Sequence, residues 1–191
     1  MKTHINIHHT ATHSVDDTQK QFTSVNAGHK VRFGEGVKSK LGFYGGYHYL
    51  VERDGTIGQY RNDDEVGAHN NVSEMNFKAI GVCFAGNMSK QNLSDRQIKA
   101  GYELIKRLQE KHKIPDANVE GHKKYKQTQC PGNLLGNDPW GMIQKLYKPK
   151  DPEWFDRKFW EGLVDVDGYV ADPTPYKTLE AIRKAVTRQN G

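Results

Sequence analysis

The side chains of this sequence best suited to chemistry are a histidine and a cysteine eight residues apart, His122 and Cys130 in VEGHKKYKQTQCPG. Imidazole and thiolate are ligands that zinc favours. A spacing of eight is too wide for one helix face, so strand end and loop must fold back onto a common ion. Thr128, two before Cys130, shares its side if the backbone there is extended. Pro131-Gly132 closes the segment as a turn. A lone pair of this kind also suits a buried thiol and a surface histidine, so a metal site needs a further ligand from elsewhere. The N-terminal stretch offers one. Residues 3–8 alternate, with Ile5 and Ile7 on one face and His4, Asn6 and His8 on the other. His8 and His9 stand at the end of this strand, pointing to opposite faces, so at most one of them reaches a given metal.

The elements that must position these groups follow from pattern. Ser14 as N-cap, with Asp16 and Asp17 in the first turn, predicts a helix to about Ala27. Residues 28–46 form a long basic, glycine-rich connection carrying Lys30, Arg32, Lys38 and Lys40. Residues 47–51 and 57–60 read as strands of a hairpin turned by Asp54-Gly55. A polar loop over 66–71 leads to Asn76. AIGVCF at 79–84 is an apolar run suited to a strand buried on both faces, with Cys83 as a small core residue. Ser94-Asp95-Arg96-Gln97 is a capping box with Leu93 as staple, and Ile98, Tyr102, Ile105 and Leu108 continue at helical spacing to about His112. Pro115 stops that helix. Residues 119–122 form a short strand delivering His122, and Asp138-Pro139 opens a helix to about Tyr147. The order β-α-β-β-β-α-β-α predicts one sheet covered by helices on both faces.

Lys148-Pro149-Lys150-Asp151-Pro152 marks a boundary, dividing the chain into a domain over 1–147 and an extension over 148–191. In the extension, Trp154, Phe155, Phe159, Trp160 and Leu163 suggest one amphipathic helix. Thr174-Pro175 opens a second, with Leu179, Ile182 and Val186 on its stripe. So short a piece rarely folds alone, so it is expected to pack on the main domain or on a partner.

Composition narrows the class. Of 191 residues, 35% are hydrophobic and 27% charged, which fits a globular chain rather than a disordered one. No apolar run approaches the ~20 residues that span a bilayer. MKTHINIHHT has no apolar core of a secretion signal, so synthesis in a cytoplasm is expected. Cys83 and Cys130 are accordingly expected to be free thiols. The net charge of +5 suggests an anionic partner, and nucleic acid, lipid and wall polymer all qualify.

Taken together, four stretches resemble the type 2 N-acetylmuramoyl-L-alanine amidases, a superfamily that includes amidase-type phage lysozymes and the peptidoglycan recognition proteins. They are His8-His9-Thr10-Ala11-Thr12; Gly46-Tyr47-His48-Tyr49 with Arg53-Asp54-Gly55; Asn76 with Ile80 to Gly86; and Gly121-His122 with Thr128 to Gly132. The resemblance ends near Tyr147. It implies an α/β fold with a central mixed sheet flanked by helices on both faces, and a zinc ion held by His8, His122 and Cys130. It also implies a catalytic tyrosine at Tyr47 and a second catalytic position at Thr128, where some members carry lysine. His69 and Asn70, together with Asn76, fall where the family contacts substrate. Two imidazoles and one thiolate leave a fourth position open on tetrahedral zinc, as catalytic sites do. Hydrolysis of the amide between the muramic lactyl group and L-alanine is then the expected reaction, with Thr128 donating to the oxyanion. Tyr47 orients the water or donates to the leaving amine. Glu120 is not assigned, alternation being read as turning it away from His122.

The resemblance implies bacterial peptidoglycan as partner, with anionic wall polymers a further possibility, and a monomer acting on the wall after release as a bacteriolytic phage endolysin. A peptidoglycan-binding module without catalysis is one alternative, disfavoured by the presence of Cys130. A cytoplasmic muropeptide-recycling amidase is another. The lysines are scattered and show no aromatic-interleaved patch, against nucleic-acid binding. The expected Trp154 to Leu163 helix resembles, more weakly, the short helical tails of some phage endolysins, which implies either cell-wall binding or cover for the apolar edge of the main domain.

Overall fold

The structure, a computed structural model, describes residues 1–13, 16–70 and 72–147. The expected N-cap Ser14 and the expected helices beyond residue 147 lie outside the described residues. Five strands form one mixed sheet in the order β3-β2-β4-β1-β5: β1 His4–His9, β2 Tyr49–Val51, β3 Ile57–Gln59, β4 Ala79–Phe84 and β5 Val119–Gly121. β1 runs parallel to β4 and β5, and β2 runs parallel to β4. β3 is antiparallel to β2, as the Asp54-Gly55 turn requires. AIGVCF is therefore the central strand, and all six of its residues are buried.

The period of two sorts these strands into faces. Ile5, Ile7, Ile80, Val82 and Phe84 belong to one core cluster with Leu104, Ile105 and Leu108 of α3 (Asp95–His112) and Trp140 and Ile143 of α4 (Pro139–Leu146). On the other face, Leu50, Cys83, Ala85 and Tyr60 pack with Phe22 and Val25 of α1 (Phe22–Phe33). The capping box forms as expected, Ser94 receiving the Gln97 N–H and Gln97 reaching back to Ser94. Gln97 Nε2 also donates to the Val51 and Ala85 carbonyls, tying the start of α3 to the ends of β2 and β4. Asp138 caps α4 through the Gly141 N–H.

The first helix departs from expectation. It begins at Phe22, not after Ser14, and runs to Phe33. Asp16 instead accepts from Thr18 N and Gln19 N, making a turn. The cap of α1 comes from Glu52, just beyond β2, whose carboxylate accepts the Gln21 N–H at 2.8 and 3.0 Å and the Phe22 N–H at 2.8 Å. Phe22 stacks on Tyr60 with ring centroids 4.2 Å apart. Gly58 leaves room for this ring, since a Cβ there would come within 2.3 Å of it. The presumed connection over 28–46 is thus largely helical until Gly34, which ends α1 at φ 72°. Between the 66–71 loop and β4 lies a short helix, α2 Ser73–Lys78, a segment to which the sequence pattern assigns no element.

Candidate metal centre

The parallel strands deliver their carboxyl ends to one edge of the sheet, where ligands bind in open α/β folds. β1 ends with His8 and His9, and β5 ends at Gly121, immediately before His122. The chain then turns back. Lys123 N–H donates to the Cys130 carbonyl at 3.0 Å, so His122 and Cys130 face each other across a closed loop. The backbone over 126–131 is bent rather than extended, which corrects the sequence expectation; Thr128 and Cys130 nonetheless line the same cleft.

One ligand atom from each of His8, His122 and Cys130 lies within 4.8 Å of the others, and this is the one group of metal-ligating side chains among the described residues. His8 Nδ1 stands 3.6 Å from Cys130 Sγ, and the rings of His8 and His122 are 4.6 Å apart. His122 Nε2 is buried with no hydrogen-bond partner, which a protein tolerates where an ion satisfies the atom. The donor set suits zinc. Burial, with the imidazoles of His69 and His122 adding to it, holds His8 well below the ordinary histidine range, so it stays a neutral ligand. Burial pushes the Cys130 thiol up to about 12, and a cation in contact with sulfur reverses that balance. His9 points away from this group, its Nδ1 accepting the Met88 N–H at 3.1 Å.

Around these ligands is a cleft of about 540 Å³. Tyr47 packs its ring 5.1 Å from that of His8. Burial, then the thiols of Cys83 and Cys130, raise its hydroxyl well above the usual 10, so Tyr47 is a proton donor and not a base at neutral pH. Thr128 Oγ1 accepts the Cys130 N–H at 3.2 Å, which leaves its hydroxyl proton available. His69, Asn70 and Asn76 line the same cleft. Asn76 is a clamp: its Oδ1 accepts from the backbone of His69 and Asn70, and its Nδ2 donates to the Asn70 carbonyl. His69 faces His8 directly, Nδ1 to Nε2, at 3.0 Å.

Among the described residues, no carboxylate lines this cleft. Glu120 is absent from it for a different reason than the one expected. Residues two apart share a face, and the register pairs Glu120 with Asn6, so alternation does not remove it. Its carboxylate is held instead by the Tyr125 hydroxyl and lies 3.8 Å from Lys124. Sequence reasoning missed the wall that α1 supplies, His29, Arg32 and Phe33. His29 Nδ1 accepts the Gly46 N–H at 2.8 Å and so braces the backbone beside Tyr47. Burial, helped by Arg32 and Arg61, lowers His29 to about 4. The i, i+3, i+4 spacing of these residues was the available signal, but it counts only once the segment is known to be a helix.

Comparison with known proteins identifies what the chain is similar to. The chain is 31% identical over 94 residues to peptidoglycan-recognition protein SC2 of Drosophila melanogaster, covering 49% of this chain and 50% of that one. It is 30% identical over 91 residues to the endolysin of Enterobacteria phage K11, covering 45% of this chain and 58% of the other. The chain thus spans about half the length of the curated relatives it matches. Among solved structures, N-acetylmuramoyl-L-alanine amidase LysC from Clostridium intestinale superposes with a TM-score of 0.58 at 28% identity, over 75% of this chain and 83% of that one. The family model described as N-acetylmuramoyl-L-alanine amidase matches residues 2–133, a span that holds the whole histidine–cysteine group, and the chain belongs to that family.

Proposed function

We propose that the chain is a zinc-dependent N-acetylmuramoyl-L-alanine amidase that cuts bacterial peptidoglycan between the muramic lactyl group and L-alanine. The observation that carries this reading is the convergence of His8, His122 and Cys130 at a cleft whose other polar walls include Tyr47 and Thr128. Zinc bound there supplies a Lewis acid, lowering the pKa of water toward ~7 and polarising the scissile carbonyl. Such a site works without a protein carboxylate as strong base, in keeping with the described lining of the cleft, which holds none. Thr128, with its oxygen anchored on the Cys130 N–H, aims its hydroxyl proton at the oxyanion. Tyr47 remains protonated through neutral pH and donates to the developing charge or to the leaving amine. The retained Cys130 ligand favours catalysis over binding alone.

Likeness to the K11 phage endolysin and the net charge of +5 support a lytic enzyme made in a host cytoplasm and acting on an anionic wall after release. The test is incubation of the purified chain with intact sacculi and with soluble muropeptides. New free alanine amines paired with intact muramic acid are the expected ends. New reducing sugar ends, or cuts within the stem peptide, would overturn the reading.

A further inference from the structure

His69 is almost wholly buried, 8% exposed, and its surroundings are shaped around its ring. Gly81 sits in the central strand, where glycine weakens pairing and marks a close approach. A Cβ at Gly81 would lie 2.7 Å from His69 Cδ2, and one at Gly67 would lie 2.3 Å from the same atom. These glycines therefore form a slot that admits one imidazole. The Asn76 side-chain amide clamps the backbone of His69 and Asn70 and so fixes the loop that carries the ring. Within the slot, His69 Nδ1 meets His8 Nε2 at 3.0 Å and Asn70 Nδ2 at 3.1 Å. A ring nitrogen that receives an amide N–H carries no proton of its own. With the Asn70 amide N–H directed at His69 Nδ1, the hydrogen between the imidazoles belongs to His8 Nε2, and the nitrogen left bare on His8 is Nδ1, the one 3.6 Å from Cys130 Sγ. His69 keeps its own proton on Nε2, on which no well-formed hydrogen bond falls.

We propose that His69 is a positioning residue: by accepting the His8 Nε2–H, it holds His8 in the tautomer and orientation that present Nδ1 to the metal. This rests on the zinc reading above and moves His69 from the substrate surface to the support of a ligand, the role that carboxylates or carbonyls fill behind many metal-bound histidines. The buried neighbours, His48 at a ring distance of 5.7 Å and Gly67 and Gly81, confine the ring so that, among the described residues, Nδ1 meets only His8 Nε2 and the Asn70 amide.

The test compares the full chain with His69→Leu, His69→Gln and His8→Ala. Each is stripped of metal and titrated with Zn²⁺ against a chromophoric chelator, while ¹⁵N spectra of the metal-free wild type report the His8 tautomer. Wild type takes up about one equivalent and His8→Ala loses it. His69→Leu binds on the order of 10- to 100-fold more weakly. His69→Gln, whose amide oxygen accepts the same N–H, recovers most of the affinity. The wild-type spectrum shows His8 protonated at Nε2 and bare at Nδ1. Zinc affinity of His69→Leu within twofold of wild type, or a His8 proton on Nδ1, overturns the proposal while leaving the zinc reading intact. Raised KM in His69→Gln with unchanged zinc affinity in both His69 variants overturns it in favour of substrate contact. A wild type that takes up no zinc sinks both. If His69→Leu does not fold, the wild-type tautomer and the glutamine variant decide.

Discussion

Replacing Glu52 by alanine removes the acceptor for the Gln21 and Phe22 N–H groups at the start of α1. Gln21 is buried, 2% exposed, so water cannot readily take over. Each buried donor left unpaired costs about 1–3 kcal/mol. Phe22 is only half-buried, so its share is discounted, and the expected loss is about 3 kcal/mol. Glu52→Gln is the informative control. Both N–H groups approach Oε1 at 2.8 Å, so a single amide oxygen keeps both bonds and loses the charge at a helix N-terminus, about 1 kcal/mol. Urea unfolding followed by circular dichroism, with slopes compared to confirm equal exposure on unfolding, reads both values. The alanine variant should also show less helix in the native baseline, because α1 has no side-chain cap of its own. Stabilities of both variants within about 0.5 kcal/mol of wild type, below the usual surface effect, would refute the reasoning. So would a glutamine variant as damaged as the alanine one.

Cys130→Ser and His122→Ala should each abolish stoichiometric zinc by elemental analysis, whereas His9→Ala should retain it, because His9 is bonded to Met88 instead. Tyr47→Phe and Thr128→Val should lower kcat roughly a hundredfold with zinc content unchanged, the scale of losing one oxyanion donor; kcat within a factor of two would remove these roles, and Thr128→Lys should keep partial activity. Acid should destabilise the fold. Burial lowers His48 to about 3 and His29 to about 4, against the ordinary 6.5, so the unfolded chain binds more protons between those values. The stability is complete above pH 6.5 and is lost as pH falls, at about 1.4 kcal/mol per pH unit for the fully buried His48. Thermal melts of His48→Gln and wild type across pH 4–7 should converge toward the acid end, and parallel curves would count against the assignment.

Much of the architecture is written locally. The alternation of Ile5 and Ile7, the apolar run AIGVCF, the Asp54-Gly55 turn and the Ser94–Gln97 capping box each specify an element through residues within one or two turns of each other, and each forms as read. His122 and Cys130 were legible because few residue types ligate zinc, and the fold-back they demanded is supplied by the Lys123–Cys130 backbone bond. What the sequence by itself could not determine depends on contacts between distant residues. α1 starts at Phe22 because Glu52, 30 residues later, offers it a carboxylate, and because Tyr60 offers Phe22 a ring to stack on. No periodic apolar stripe announces that helix, and so the cleft wall of His29, Arg32 and Phe33 stayed hidden. His69 read as a polar loop residue until the sheet register set His8 and Gly81 on the same face and the loop carried its imidazole between them. Residue type fixes which chemistry is available; the burial and pairing that only the assembled sheet creates decide which nitrogen, hydroxyl or thiol can perform it.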